Sequence, residues 1–337
     1  MSDISFLDCT LRDGAHVVSG DFKYQRIINI LNGLTSAKSD IIEFGFLKNV
    51  TYNSDKVYYP DIQNAIDILN STESSANTPI YALMARADEY DYHLLPVCNN
   101  RIRLIRVAFY YDYLEGGIKF ARKAMDKGYI CSLNLINTPG STMDELKTFI
   151  EQANTINPFA VSIVDTFGVL DIARLEQIVY LYDSTLNPMT RIGLHVHENM
   201  SLSFALAQHF LNIVDTNRDV IIDGSLMGIG RAPGNLCTEL ITEYLDTNYH
   251  KNIDIHTIID TLDKEVRPLK DRFKWGYSPE FFLSAKHRVH RSYAEFLAEH
   301  GVSLSNIDTL LGMIPYDTGK KFNQTYILEM AKKEGIL

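Results

Sequence analysis

The chain has 337 residues, of which 46% are hydrophobic and 22% charged, and its formal net charge is −10. This composition is typical of a globular protein with a sizeable core. It argues against nucleic-acid binding, because the sequence contains no dense block of lysine and arginine. The four cysteines are scattered and form no C-x-x-C pair, so a zinc ribbon is not expected. We expect a cytoplasmic location and no membrane association, since the sequence shows neither a signal-peptide pattern nor an apolar run of about 18 residues.

Short apolar segments alternate with longer amphipathic ones over the first two-thirds of the chain. The predicted strands are 5–12, 41–46, 79–84, 103–109, 129–136, 160–166, 191–197 and 220–226. Such alternation predicts parallel strands joined by right-handed crossovers, and eight units predict a closed (β/α)8 TIM barrel of the α/β class. The alternative, an open doubly wound sheet, usually carries G-x-G-x-x-G in its first turn, which this chain lacks. We therefore predict a catalytic barrel at 1–248 and a C-terminal helical extension at 249–337 packed on it.

The first predicted strand carries charges on one face. Side chains alternate along a strand, so Asp8, Thr10 and Arg12 share a face, which we expect to point into the barrel. A buried charge without a partner is costly, so these groups are expected to be paired, to bind a ligand or to be catalytic. An internal Asp8–Arg12 ion pair is the alternative. Glu43 and Asn134 also occupy positions where an inward polar side chain can be accommodated.

The seventh predicted strand places His195 and His197 on one face, about 6.5–7 Å apart along the backbone. A lone core histidine would be an ordinary structural residue, but two imidazoles at this spacing favour a metal site at the end of a barrel strand. Only the eighth strand separates this strand from the first, so we predict that Asp8, His195 and His197 bind one ion. A carboxylate and imidazoles without a thiolate suit Mn²⁺ or Mg²⁺, and Zn²⁺ and Fe²⁺ stay open.

A glycine-rich segment, GIGRAPGN at residues 228–235, follows the eighth predicted strand. Such a turn at a barrel mouth permits close approach of the backbone to a ligand, and we assign Gly230 and Asn235 to substrate binding. A tight loop without a ligand and an N-cap role for Asn235 are the alternatives.

Three motifs, in their order along the chain, resemble the motifs of one family. Residues 8–14, DCTLRDG, resemble the D-x-T-L-R-D-G signature of the DRE-TIM metallolyases, residues 195–199 resemble their H-x-H-x-N, and residues 228–235 resemble their glycine loop. The resemblance spans roughly residues 4–300. Within that superfamily the chain is most similar to 4-hydroxy-2-oxovalerate aldolase-like proteins, because His16 follows R-D-G-A and residues 265–272 resemble the aldolases' C-terminal helical segment.

The resemblance implies a divalent-metal-dependent (class II) aldolase that cleaves a 4-hydroxy-2-oxo acid to pyruvate, or a related 2-oxo acid, and an aldehyde through a metal-stabilised enolate, or forms it from them. It places Arg12 beside the enolate oxygen and Asp13 where it orients Arg12 or a metal-bound water. His16 is the expected general base for the 4-hydroxyl proton. Thr166 matches a position that contacts the substrate carboxylate. Tyr277 is assigned to the aldehyde end, with simple packing of the extension as the alternative.

The expected partners are a small-molecule 2-oxo acid and an aldehyde, and the resemblance implies a homo-oligomer. A dehydrogenase partner is left open. Two other functions remain: an acyl-CoA-dependent condensing synthase on the same barrel, and a non-catalytic, metal-stabilised interaction protein. Retention of Arg12, Asp13 and His16 argues against the second, because a scaffold needs none of them.

Overall fold

Eight parallel strands form a closed barrel in the computed structural model, which describes residues 3–73, 78–99 and 101–337. The barrel strands are β1 (Ile4–Asp8), β2 (Ile41–Leu47), β4 (Ile80–Arg86), β5 (Leu104–Phe109), β6 (Ile130–Leu135), β7 (Ala160–Val164), β8 (Arg191–His195) and β9 (Val220–Gly224), and a two-residue strand β3 (Tyr58–Tyr59) extends β2. β1 pairs in parallel with both β9 and β2, which closes the sheet. The predicted (β/α)8 barrel is confirmed, and the open sheet is excluded.

Helices follow the barrel strands and cover the outside. They are α1 (Thr10–Val18), α2 (Tyr24–Ser36), α3 (Ile62–Leu69), α4 (Leu114–Asp126), α5 (Met143–Asn154), α6 (Ile172–Thr185), α7 (Ser203–Ile213) and α8 (Thr238–Tyr249). α5 shows the local cause: Thr142 and Glu145 form a capping box at its start, and apolar residues recur at helical spacing behind it. Among the described residues, no helix combines the length and the apolar character needed to cross a membrane.

The barrel interior corrects the predicted orientation of the first strand. A buried cluster joins Leu7 of β1 to residues of five other barrel strands, among them Ile41, Leu104 and Ile221. Residues from so many strands of a closed barrel meet only in its lumen, so Leu7 points inward and Asp8 points outward. The prediction that Asp8 faces the lumen is wrong. It assumed that the apolar face with Leu7 met the outer helices, whereas Leu7 packs in the lumen. The predicted strand was also too long, because β1 ends at Asp8 and α1 starts at Thr10, so Arg12 lies on a helix.

The C-terminal part of the chain is helical, as predicted. It contains α9 (Ile255–Thr261), α10 (Pro279–Lys286), α11 (Ser292–Glu299), α12 (Leu304–Gly312), α13 (Tyr316–Gly319) and α14 (Gln324–Lys333). Ile258 and Trp275 still belong to the main hydrophobic core of the barrel, whereas residues from Leu283 onward form a second core. The domain boundary at residue 248 stays a prediction, and the core itself divides between Trp275 and Leu283.

Candidate active site at the carboxyl end of the barrel

The carboxyl ends of the barrel strands surround a cavity of about 290 Å³. Its wall is lined by Arg12, Asp13, His16, Phe46, Leu47, Lys48, Tyr58, Met84, Arg86, Glu89, Ala108, Asn134, Ile136, Val164, Thr166, His195, His197 and Arg231. Catalytic residues of TIM-barrel enzymes lie at this end, on the loops that follow the strands. Six of the predicted site residues therefore share one cavity, namely Arg12, Asp13, His16, Thr166, His195 and His197.

Asp13, His195 and His197 form the one group in the described chain whose ligand atoms suit a metal ion. One potential ligand atom from each residue lies within 4.8 Å of those of the other two, and all three side chains are buried. The two imidazole rings are 5.0 Å apart at their centroids and nearly perpendicular. His195 ends β8 and His197 lies just beyond it, so the histidine pair that the sequence predicted does converge.

Hydrogen bonds to the far side of each ring leave one nitrogen of each histidine directed at the cluster. Nδ1 of His195 donates to Oδ2 of Asp223 at 3.0 Å, and Nδ1 of His197 donates to the backbone carbonyl of Asp165 at 2.8 Å. Such contacts fix the tautomer in which Nε2 carries the lone pair. Nε2 of His197 is buried and has no hydrogen-bond partner within the described ranges. Burial lowers the pKa of His197 to about 3, so the ring is neutral, which is the form that binds metal. The residues present therefore fit a divalent cation.

Asp8 is not part of this cluster, and the prediction that it is a ligand is corrected. Its Oδ1 accepts from the backbone N–H of Thr10 at 2.8 Å, and its Oδ2 accepts from the Thr238 hydroxyl at 2.7 Å. Burial raises the pKa of Asp8 to about 6, against the opposing effect of these hydrogen bonds. Asp8 therefore fastens the start of α1 to the start of α8, and Asp13 is the carboxylate beside the histidines.

Asp13 is oriented by charges rather than by solvent. Nη1 of Arg12 donates to its Oδ1 at 2.5 Å, and the backbone N–H of Arg231 donates to its Oδ2 at 3.3 Å. Burial alone would favour the neutral acid, but the charge of Arg12 outweighs it and holds the pKa of Asp13 well below its usual range. The carboxylate is therefore ionised and available as a ligand. The predicted Arg12–Asp13 contact is present, whereas the alternative Asp8–Arg12 pair is not.

A buried network under the cavity contains two residues that the sequence analysis missed, Arg106 and Asp223. Arg106 of β5 crosses the lumen: its Nη1 donates to Glu43 at 2.9 Å and its Nη2 donates to Asp223 at 2.6 Å. Glu43 also accepts from Nε of Arg12 at 2.6 Å, and Asp223 accepts from His195. The buried guanidinium of Arg106 thus links Glu43, which accepts from Arg12, to Asp223, which accepts from His195. A charged residue inside an apolar strand was the available signal, in LIRVAF for Arg106 and VIIDG for Asp223.

His16 and Thr166 both lie on the cavity wall. His16 follows Asp13 by three residues on α1, so both side chains occupy one helix face, and their Nε2 and Oδ1 atoms are 3.8 Å apart. The His16 side chain is 36% exposed, which leaves it accessible to a substrate. Enclosure by the cavity, with smaller effects of Arg231 and Arg12, lowers its pKa, so the imidazole is neutral and able to accept a proton. The Thr166 hydroxyl accepts from the backbone N–H of Asn137 at 2.8 Å.

Gly230 and Asn235 lie behind the site rather than on the wall of the cavity. A Cβ atom on Gly230 would be 2.2 Å from Nδ2 of Asn235 and 2.4 Å from Oδ2 of Asp13, so only glycine fits there. Asn235 donates to the Ser225 hydroxyl and to the Ile229 carbonyl, both at 3.3 Å. Their predicted substrate contacts are therefore replaced by a packing role under Asp13. The N-cap alternative for Asn235 also fails, because α8 starts at Thr238.

Tyr277 is the remaining predicted catalytic residue, and it lies outside the site. It is 56% exposed and is not among the residues that line the cavity. A residue close to Tyr277 in the sequence contacts the barrel instead: the indole N–H of Trp275 donates to the Met227 carbonyl at 2.8 Å. We therefore withdraw Tyr277 from the catalytic set.

Comparison with known proteins gives a family match. The HMGL-like family matches residues 105–264, which run from the second residue of β5 through β9. The 4-hydroxy-2-oxovalerate aldolase 4 of Rhodococcus opacus (strain B4) is 25% identical over 281 residues, covering 79% of this chain and 75% of that protein. That of Moorella thermoacetica is also 25% identical, covering 80% of this chain and 78% of that protein. The names of these relatives do not favour the condensing-synthase alternative.

Solved structures show the same fold. The N-terminal domain of a putative aldolase from Bacteroides vulgatus superposes with a TM-score of 0.76 at 20% identity, covering 90% of this chain and 98% of that one. At this low sequence identity, the structural similarity supports only a shared barrel fold. The HMGL-like match over residues 105–264, the ordered motifs at the ends of β1, β8 and β9, and the aldolases that align with about four-fifths of the chain agree with one another: this chain is similar to the HMGL-like aldolases and is consistent with the DRE-TIM superfamily.

Proposed function

We propose that this protein is a class II aldolase that interconverts a 4-hydroxy-2-oxo acid with pyruvate, or a related 2-oxo acid, and an aldehyde. The observation that carries the proposal is the shared cavity: it brings the Asp13, His195 and His197 cluster together with Arg12 and His16. The curated relatives named 4-hydroxy-2-oxovalerate aldolase support the same activity. A cytoplasmic location and a homo-oligomer are not needed for this proposal and stay predictions, and a dehydrogenase partner stays open.

The metal ligands in this proposal are Asp13, His195 and His197. One carboxylate and two imidazoles, without a thiolate, favour Mn²⁺ or Mg²⁺. When bound, such an ion supplies a Lewis acid beside the 2-oxo group. The protein contributes the orientation of its ligands, because Asp223 and Asp165 fix the two rings and Arg12 fixes the carboxylate.

Arg12 and His16 perform the bond-breaking step in this proposal. His16 takes the proton from the 4-hydroxyl group, the C3–C4 bond breaks, and C4 leaves as the aldehyde carbonyl. The electron pair of that bond moves to the 2-oxo acid fragment as an enolate, whose C3 then takes a proton to give the methyl group of pyruvate. Two Arg12 nitrogens donate to Glu43 and Asp13, and the remaining Nη2 has no partner among the described residues, so it can donate to the enolate oxygen.

The direct test is pyruvate release from 4-hydroxy-2-oxo acids by protein that has been stripped with a chelator and then reloaded with Mn²⁺ or Mg²⁺. We expect turnover only after reloading, and pyruvate and aldehyde in equal amounts. Addition of acyl-CoA with a 2-oxo acid serves as the comparison, because free thiol would appear there if the protein were a condensing synthase. Full turnover by the stripped protein, or no turnover of any 4-hydroxy-2-oxo acid by the reloaded protein, would contradict the proposal.

His16→Ala is expected to slow aldol cleavage by about 10²–10⁴-fold, because it removes the group that takes the 4-hydroxyl proton. The same variant should still exchange the methyl protons of pyruvate with deuterium oxide, since that step involves no 4-hydroxyl group. Both rates are measured by nuclear magnetic resonance on metal-loaded protein. His209→Ala is the matched control, because His209 lies on α7 and pairs with Glu176 away from the cavity. An unchanged cleavage rate in His16→Ala would remove His16 from the mechanism.

A further inference from the structure

The C-terminal helices reach the mouth of the barrel and contact the loops that form the site. Four of these hydrogen bonds are Trp275 to the Met227 carbonyl at 2.8 Å, Asn199 to the Phe281 carbonyl at 3.0 Å, Tyr316 to the Gly140 carbonyl at 2.7 Å and Arg231 to His290 at 2.7 Å. The barrel residues in these contacts follow β6, β8 and β9. The C-terminal helices therefore hold several catalytic-end loops in place.

Arg231 is the one partner in these contacts that also lines the cavity. Its backbone N–H donates to Asp13, which places it next to the proposed metal site. Its Nη2 donates to Nε2 of His290, a neutral acceptor that leaves the positive charge without compensation. Across residues 3–73, 78–99 and 101–337, no carboxylate lies within 4.0 Å of this guanidinium. Arg12, by contrast, already has two carboxylate partners, Glu43 and Asp13.

A partly buried guanidinium without a counterion indicates a bound anion, because burial of an unpaired charge is costly. Arginine has the planar set of donors that matches a carboxylate. We propose that Arg231, held by His290, binds the carboxylate of the 2-oxo acid. This assignment rests on the proposed function, and it makes the C-terminal helices part of the substrate site. His290 is then a positioning residue, since it acts through Arg231.

A second arginine lies close to Arg231, but its charge is already paired. Arg291 is buried for the most part and pairs with Glu295, while its Nε has no partner among the described residues. Burial, together with the nearby charge of Arg231, lowers the pKa of Arg291 to about 10. The chain as a whole carries a net charge of −10, whereas the guanidinium of Arg231 on the cavity wall has no carboxylate partner among the described residues, and this favours an anionic ligand there.

The test compares pyruvate with methyl pyruvate, which lacks the carboxylate charge, in the exchange of methyl protons with deuterium oxide by metal-loaded protein. In Arg231→Met we expect kcat/KM for pyruvate to fall by about 10- to 100-fold, mainly through KM, because a hydrogen bond to a charged group is lost. The value for methyl pyruvate should stay nearly unchanged. Arg231→Lys should lose less than Arg231→Met, and His290→Ala should show a smaller loss that is again selective for pyruvate.

Arg288→Met is the control, since Arg288 is exposed in the same C-terminal segment and does not line the cavity. Equal losses for pyruvate and methyl pyruvate in Arg231→Met, or no loss for pyruvate, would overturn the assignment and leave the aldolase proposal intact. Failure of the wild-type protein to exchange either compound would overturn the aldolase proposal and this assignment with it. If Arg231→Met does not fold, the selectivity of Arg231→Lys and His290→Ala decides.

Discussion

Asp13→Asn is expected to abolish tight binding of the divalent metal and to reduce aldol turnover by more than 100-fold. The substitution keeps the size of the side chain and removes the carboxylate that, among the described residues, groups with the two histidine nitrogens as a metal site. Loss of a residue that only supports a ligand typically lowers metal affinity or activity by about 10- to 100-fold, so loss of the ligand itself should exceed that range. Metal content after dialysis and calorimetric titration with Mn²⁺ measure the effect without relying on activity.

Asp8→Asn is the matched control for this prediction. An asparagine can accept from the Thr10 N–H and donate to the Thr238 hydroxyl, so the local structure should persist. We expect wild-type metal content and nearly wild-type turnover. If Asp8→Asn lost the metal while Asp13→Asn kept it, the ligand set deduced from the structure would be wrong.

The sequence pointed to Asp8 as the carboxylate ligand, whereas the structure places Asp13 beside the histidines, and this difference shows which features the sequence could predict. Apolar periodicity was sufficient to locate the eight barrel strands, because fully buried parallel strands appear as short apolar runs between amphipathic helices. The order of the strands around the barrel then followed from the (β/α)8 architecture. The exact end of β1 did not follow from the periodicity, so Arg12, which lies on α1, was placed on the strand. The face of β1 that meets the lumen was also assigned the wrong way round, because the polar face was expected to point inward. Cys9 separates strand from helix, and the local sequence gives no cap or proline at that point.

The supporting residues were harder to predict than the ligands, because they are defined by contacts between distant strands. The histidine pair lies within three residues, so spacing alone indicated it. Arg106 meets Glu43 and Asp223 across 63 and 117 residues of sequence, and only the closed barrel brings them together. The role of the C-terminal helices at the cavity mouth depends in the same way on tertiary docking, as the Arg231–His290 contact shows.

Arg106→Met is expected to lower the free energy of unfolding by about 3–5 kcal/mol. Glu43 and Asp223 are 0% and 1% exposed, and removal of the shared guanidinium leaves two buried carboxylates without that charge. Breaking a buried ion pair from one side is costly for this reason. Arg267→Met, which removes an exposed pair with Asp263, is the control and should change stability by less than about 1 kcal/mol. Denaturant titration of both metal-free variants gives the comparison.

The same substitution should also weaken Mn²⁺ binding by about 10- to 100-fold, because Asp223 would no longer be held in place to orient His195. Arg106→Lys keeps a positive charge but cannot donate to both carboxylates in the same geometry, so its metal affinity should fall between those of the wild type and Arg106→Met. This ranking of metal affinities distinguishes a role of Arg106 in orienting the ligands from a general loss of stability. The affinities are measured at low temperature, where only the folded fraction is compared. Unchanged affinity in a folded Arg106→Met protein would mean that His195 is oriented by Asp223 alone.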